Sequence, residues 1–111
     1  HRFKGKFDVI ISTECFEHDL YYKLSLQNIV RMLKDNGLFL FTCATEGRGE
    51  HGTLRKDSWT APFLAEIPEW QNYYKNLTEN DIREVINMED FKECKFEING
   101  EDLYFWGIKN H

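Results

Sequence analysis

No apolar run in this chain of 111 residues approaches the ~20 that cross a bilayer, so no membrane partner is expected. A basic balance is missing as well. The formal charge is −5 and the pI near 5.3, which argues against nucleic acid, whose binders present a basic face to phosphates. The small basic patch of Arg2, Lys4 and Lys6 is read as solvated charge. Cysteine is scarce. Cys15, Cys43 and Cys94 are an odd number at wide spacing with no signal peptide before them, which leads us to expect a reduced, cytoplasmic compartment. Cys15 and His18 have a C-x-x-H spacing, but no second close pair joins them, so no metal site is expected. Internal repeats and low-complexity tracts are also missing.

What is present is apolar bulk. The sequence is 41% hydrophobic and 15% aromatic, too rich in large side chains for a disordered segment. Its length is that of a single domain, 1–111. Phe7, Val9, Ile10 and Ile11 form an almost unbroken apolar run, the pattern of a strand covered on both faces, inside a sheet. Leu26, Ile29, Val30 and Leu33 recur at helical spacing and predict a helix near 20–34. Asp35-Asn36-Gly37 is its expected stop. Leu38 to Cys43 is apolar again, which completes a strand, helix, strand crossover.

A second helix is expected near 78–88, with Thr78 as N-cap and Ile82, Val85 and Ile86 as its buried stripe. Asp81 in place of glutamate is read as too short for a full capping box. Cys94, Phe96 and Ile98 alternate with Lys95 and Glu97, as an edge strand does, whereas 103–108 is nearly all apolar, as an interior strand is. Asn99-Gly100 joins them into an antiparallel hairpin. If the second helix returns the chain parallel to the first strands, the spatial order is 7–12, 38–43, 102–109, 91–98, with 102–109 antiparallel. One end of that sheet is a polar edge. The other is Val9, Ile10 and Ile11, an apolar edge that is an association site, and a homo-oligomer through 7–12 is one expected outcome.

The long stretch after the second strand carries Arg48, Glu50, His51, Thr53 and Arg55, polar residues suited to covering a substrate pocket; Arg48 and His51 are the candidate contacts. Trp59, Phe63, Trp70, Tyr73 and Tyr74 follow. Either they cover the sheet or they line a substrate pocket, with Tyr74 as the candidate. Asn76-Leu77-Thr78 matches a glycosylation pattern but is read as the start of a helix.

FDVIISTECFEH at 7–18, IVRMLKDNGLFLFTCAT at 29–45, YYKNLTENDI at 73–82 and the closing hairpin together resemble class I S-adenosylmethionine-dependent methyltransferases of the type 11-like kind. The resemblance implies an α/β, Rossmann-like half-sheet and S-adenosylmethionine as cofactor. It places Ser12 and Thr13 along the methionine part of the cofactor, chiefly through backbone, with Cys15 and Phe16 nearby. Glu14 and His18 face the acceptor, His18 as a general base or a polar wall, its alternative being a local hydrogen-bonding role. Glu17 is read as structural. The resemblance covers only the later half of the family's sheet. The glycine-rich loop and acidic residue that hold the cofactor in that family have no counterpart here, Gly47-Arg48-Gly49 having no helix directly after it.

The expectation is therefore the C-terminal part of a larger methyltransferase domain that acts on a small-molecule acceptor. Two rivals stand beside it: a non-catalytic half-domain serving as an interaction or oligomerisation module, and a different doubly wound fold with another cofactor.

Overall fold

A computed structural model describes residues 5–13, 16–49 and 74–110. The elements are β1 (Phe7–Thr13), a 3-10 turn (Phe16–His18), α1 (Tyr22–Met32), β2 (Leu33–Ala44), α2 (Glu79–Arg83), a second 3-10 turn (Met88–Asp90), β3 (Phe91–Asn99) and β4 (Asp102–Lys109). Among the described residues the result is a mixed four-stranded sheet with two helices, in the order β1-β2-β4-β3. β1 is parallel to β2, and β4 is antiparallel to both of its neighbours. This is the order the apolar patterning implies.

The reason lies in side-chain parity. In β2, Phe39, Phe41 and Cys43 are buried while Leu38, Leu40 and Thr42 are half-buried. In β4, Leu103 and Phe105 take the same buried face. Tyr22, Leu26 and Val30 of α1, one turn apart, and Ile82 and Ile86 at and after α2 close over that face with Leu77, as an amphipathic stripe must. Its centre is aromatic. Phe41 stacks on Phe105 at 5.3 Å between centroids, and Phe16 meets Phe41 edge-on at 5.2 Å, both favourable ring geometries.

Two glycines are required by close approach. A Cβ on Gly37 would lie 2.8 Å from the Lys34 carbonyl and 3.1 Å from that of Asp8, and one on Gly107 would lie 2.6 Å from the Phe91 ring. Gly107 thus lets Phe91 and Phe105 meet across it, at 5.4 Å.

Several expectations about the helices need correcting. The first helix spans 22–32 and not 20–34, because Leu33 already takes an extended conformation and pairs with Phe7. Asn36 has the positive φ, 65°, so Asp35-Asn36-Gly37 forms the irregular turn inside β2 and does not cap the helix. Lys109 does that instead, its Nζ donating to the carbonyls of Val30 at 2.7 Å and Leu33 at 2.9 Å, a cation at the negative end of a helix. The second helix stops at Arg83, short of the expected 88. Asn87 turns extended and its side chain accepts from Glu89 N–H at 2.9 Å, opening the second 3-10 turn; an asparagine that bonds the backbone locally competes with helix. Thr78 and Asp81 do form the full capping box, at 3.1 and 2.9 Å.

β1 is the sheet edge among the described residues, as the expected strand order has it, with Phe7 42%, Val9 52% and Ile11 62% exposed, although its unbroken apolar run taken alone has the pattern of a strand covered on both faces. Only Ile10 packs against the core.

Candidate functional site

Parallel strands present their carboxyl ends to one side of a sheet, and the side chains and backbone groups just beyond them are where an α/β fold builds a site. Ser12 and Thr13 end β1 opposite Phe41 and Thr42 of β2. Ser12 is half-buried and Thr13 exposed. Glu14 and Cys15 lie outside the described residues, as does His51.

The chain then enters the Phe16–His18 turn, which is buried throughout. Phe16 is anchored by its ring between Phe39 and Phe41. Glu17 is wholly inaccessible, and its Oε2 accepts from Ala44 N–H at 3.1 Å. A buried carboxylate is tolerated only with such hydrogen bonding. Its own carbonyl accepts from Lys75 N–H at 2.9 Å, while Leu77 N–H donates to the Ala44 carbonyl at 2.9 Å. Both backbone groups of Ala44 are thereby used to tie the turn and the 74–78 segment to the end of β2. This is the structural role expected of Glu17, although its partner, 27 residues away, leaves no local signal.

That tie brings together two of the residues selected from sequence. His18, 8% exposed, meets the Tyr74 ring edge-on at 5.5 Å and 74°. Lys75 lies over the Tyr22 ring at 5.4 Å, a cation–π contact that further fixes the segment. The arrangement places an imidazole and a phenol, both able to carry a proton, at the carboxyl ends of two parallel strands.

Arg48 lies just after β2. Its Nη1 pairs with Asp102 Oδ1 at 2.8 Å, both side chains about one-third exposed (33% and 29%), and its carbonyl accepts from Asn76 Nδ2 at 2.9 Å. It bridges the loop after β2 to the start of β4. Next to that bridge, Thr45, Glu46, Thr78, Asn80 and Ile98 border a cleft of about 340 Å³. Among the described residues no three of His, Cys, Asp or Glu are grouped to hold a metal ion, and no helix is long and apolar enough to cross a membrane.

No family model matches the sequence, and neither does any curated protein. Solved structures do match. Phosphoethanolamine N-methyltransferase 2 of Haemonchus contortus, in complex with S-adenosyl-L-methionine, superposes with a TM-score of 0.65 at 16% identity, over 97% of this chain and 34% of that one. A S-adenosylmethionine-dependent methyltransferase of Thermotoga maritima, a possible histamine N-methyltransferase, gives 0.63 at 11% identity, over 96% and 58%. The chain carries part of the class I methyltransferase fold. The 1,6-didemethyltoxoflavin-N1-methyltransferase of Burkholderia thailandensis matches in the same way, with a TM-score of 0.58 at 17% identity over 97% of this chain and 46% of that one. This chain thus spans between about a third and three-fifths of the length of these methyltransferases. Within the methyltransferase-type half-fold, His18 and Tyr74 stand beyond the carboxyl ends of the parallel pair.

Proposed function

We propose that this chain is the C-terminal portion of an S-adenosylmethionine-dependent methyltransferase that acts on a small-molecule acceptor. The observation that carries the reading is the meeting of His18 and Tyr74 beyond β1 and β2, on a sheet closed by an antiparallel strand. When bound, the cofactor supplies a methyl group already activated by a positive sulfur. The residues present fit such a group in part. Ser12 and Thr13 offer hydroxyl and backbone groups at the strand end. Phe16, its ring committed to the core, holds that backbone in place. No glycine-rich loop is found in the sequence, so the remaining contacts come from a further segment of the fold.

On the acceptor side His18 takes the proton of an alcohol or amine as the new bond forms, with Glu14 holding the acceptor. Tyr74 fixes the imidazole ring and presents its phenol to the acceptor. By sequence His51 is a further candidate contact to the acceptor, and Arg48 ties the start of the stretch after β2 to Asp102.

A second reading is favoured by one observation, the exposure of Phe7, Val9 and Ile11 on an edge with no further strand among the described residues. In it, the half-sheet is a non-catalytic module whose edge pairs with another copy. Calorimetric titration with S-adenosylhomocysteine separates the two. Binding by the full reading frame, and weak or no binding by residues 1–111 alone, is the expected outcome. Absence of binding by both would remove the methyltransferase reading and leave the module.

A further inference from the structure

We propose that the cleft between α1 and the segment following α2 binds a small monocarboxylate with a short apolar body, at the end of the sheet remote from the methyl-transfer site. Neither the position nor the ligand depends on the methyltransferase reading.

The cleft has a volume of about 430 Å³, within the range of small-molecule sites, ~300–1,000 Å³. Its apolar wall is formed by Val30, Val85 and Ile86, the first and last of which are buried. The polar lining is dominated by donors. Arg31 is held along α1 by its Nη2 bond to Asn28, yet its Nε is buried without a hydrogen-bond partner. A buried guanidinium N–H left unpaired is costly, and a small side-chain shift that turns it to an acceptor in the cleft relieves that cost. Asn87 spends its Oδ1 on Glu89 N–H, leaving the amide nitrogen as the end that can serve a ligand. Lys109 donates to two carbonyls of α1, which screens the negative end of that helix from an anion and retains one ammonium N–H.

Charge sets the ligand class. Arg31 and Lys109 are opposed on the lining by Asp90 alone, which leaves one net positive charge. A monoanion matches it, and the Asp90 carboxylate disfavours a dianion. The apolar wall asks for a few carbon atoms behind the carboxylate. The place is distinct too. Arg31 is in the last turn of α1, Asp90 precedes β3 and Lys109 ends β4, so the cleft lies where β2 begins to pair. The paired length from Leu38 to Ala44 separates it from His18 by roughly 20 Å.

Titration of the 15N-labelled chain with sodium butyrate, followed by amide shifts, tests the proposal, with acetate and inorganic phosphate as comparisons. Saturable shifts are expected at residues 27–31, 85–90 and 109, with butyrate binding more tightly than acetate and phosphate more weakly than either. Arg31→Gln should weaken butyrate at least about tenfold, by removing a charge-assisted donor. Asn87→Asp should do the same while keeping the bond to Glu89 N–H, and it serves alone if Arg31→Gln loses its dispersed spectrum. No saturable shift with butyrate, unchanged affinity in the variants that fold, or phosphate binding as tightly as butyrate would each overturn the proposal.

Discussion

The carboxylate of Glu17 accepts a hydrogen bond from the main chain of Ala44 at 3.1 Å, in an interior where neither residue is exposed. Replacing it with alanine strands a buried N–H and opens a void. Glu17→Ala should lower the unfolding free energy by about 2–3 kcal/mol, the range for an unsatisfied buried donor with a charged partner lost. Glu17→Gln keeps an acceptor oxygen and should lose less than half of that. Urea unfolding of the three proteins measures it; equal midpoints would mean that the bond is not a fixed feature.

Gly107 is where two rings need the space of a side chain. Gly107→Ala should destabilise the fold by about 1–3 kcal/mol through overpacking against Phe91. Pairing it with Phe91→Leu should recover part of the loss, a non-additivity that a double-mutant cycle reads directly. Simple addition of the two costs would place Phe91 elsewhere in solution.

The edge at β1 bears on association. Ile11 is 62% exposed, and a lysine on an unpaired strand opposes pairing with another chain. Ile11→Lys should leave the circular dichroism of the chain unchanged and shift its sedimentation toward monomer. A wild-type chain that is already monomeric at high concentration, with freely exchanging amides along 7–13, would refute pairing between copies.

For the methyltransferase reading, His18 offers the sharpest kinetic test. In the full reading frame, His18→Gln should reduce kcat by about 10²–10⁴, the contribution of a positioned base, with S-adenosylhomocysteine affinity little altered. Tyr74→Phe should have a smaller effect than Tyr74→Ala, since the ring contact at 5.5 Å survives the first change and not the second. An unaltered kcat in His18→Gln would assign the imidazole to local structure.

The sheet was legible in the sequence because strand order follows from which face each run must bury. Lys95 and Glu97 put β3 at the edge, and the unbroken apolar run at 103–108 put β4 between neighbours. Helix ends were less legible. Leu33 continues the apolar stripe of α1 but pairs as a strand, and Ile86 continues that of α2 after the helix has ended. In both places tertiary pairing or an asparagine bond outweighs periodicity. Of the candidate site, His18 and Tyr74 were found as separate residues, but not as a pair. Their meeting depends on Ala44 bonding two distant segments through its backbone, and alanine carries no mark of such a task. The Arg48 and Asp102 partnership, 54 residues apart, is hidden for the same reason.

Lys109 bonds to Val30, 79 positions earlier. During synthesis the carboxyl end of α1 leaves the ribosome long before the residue that caps it, so the nascent helix must wait, unsealed, for β4. Such distant closure slows folding and prolongs the exposure of apolar surface. Removing β4 would therefore be felt at the carboxyl end of α1, a helix encoded well before it.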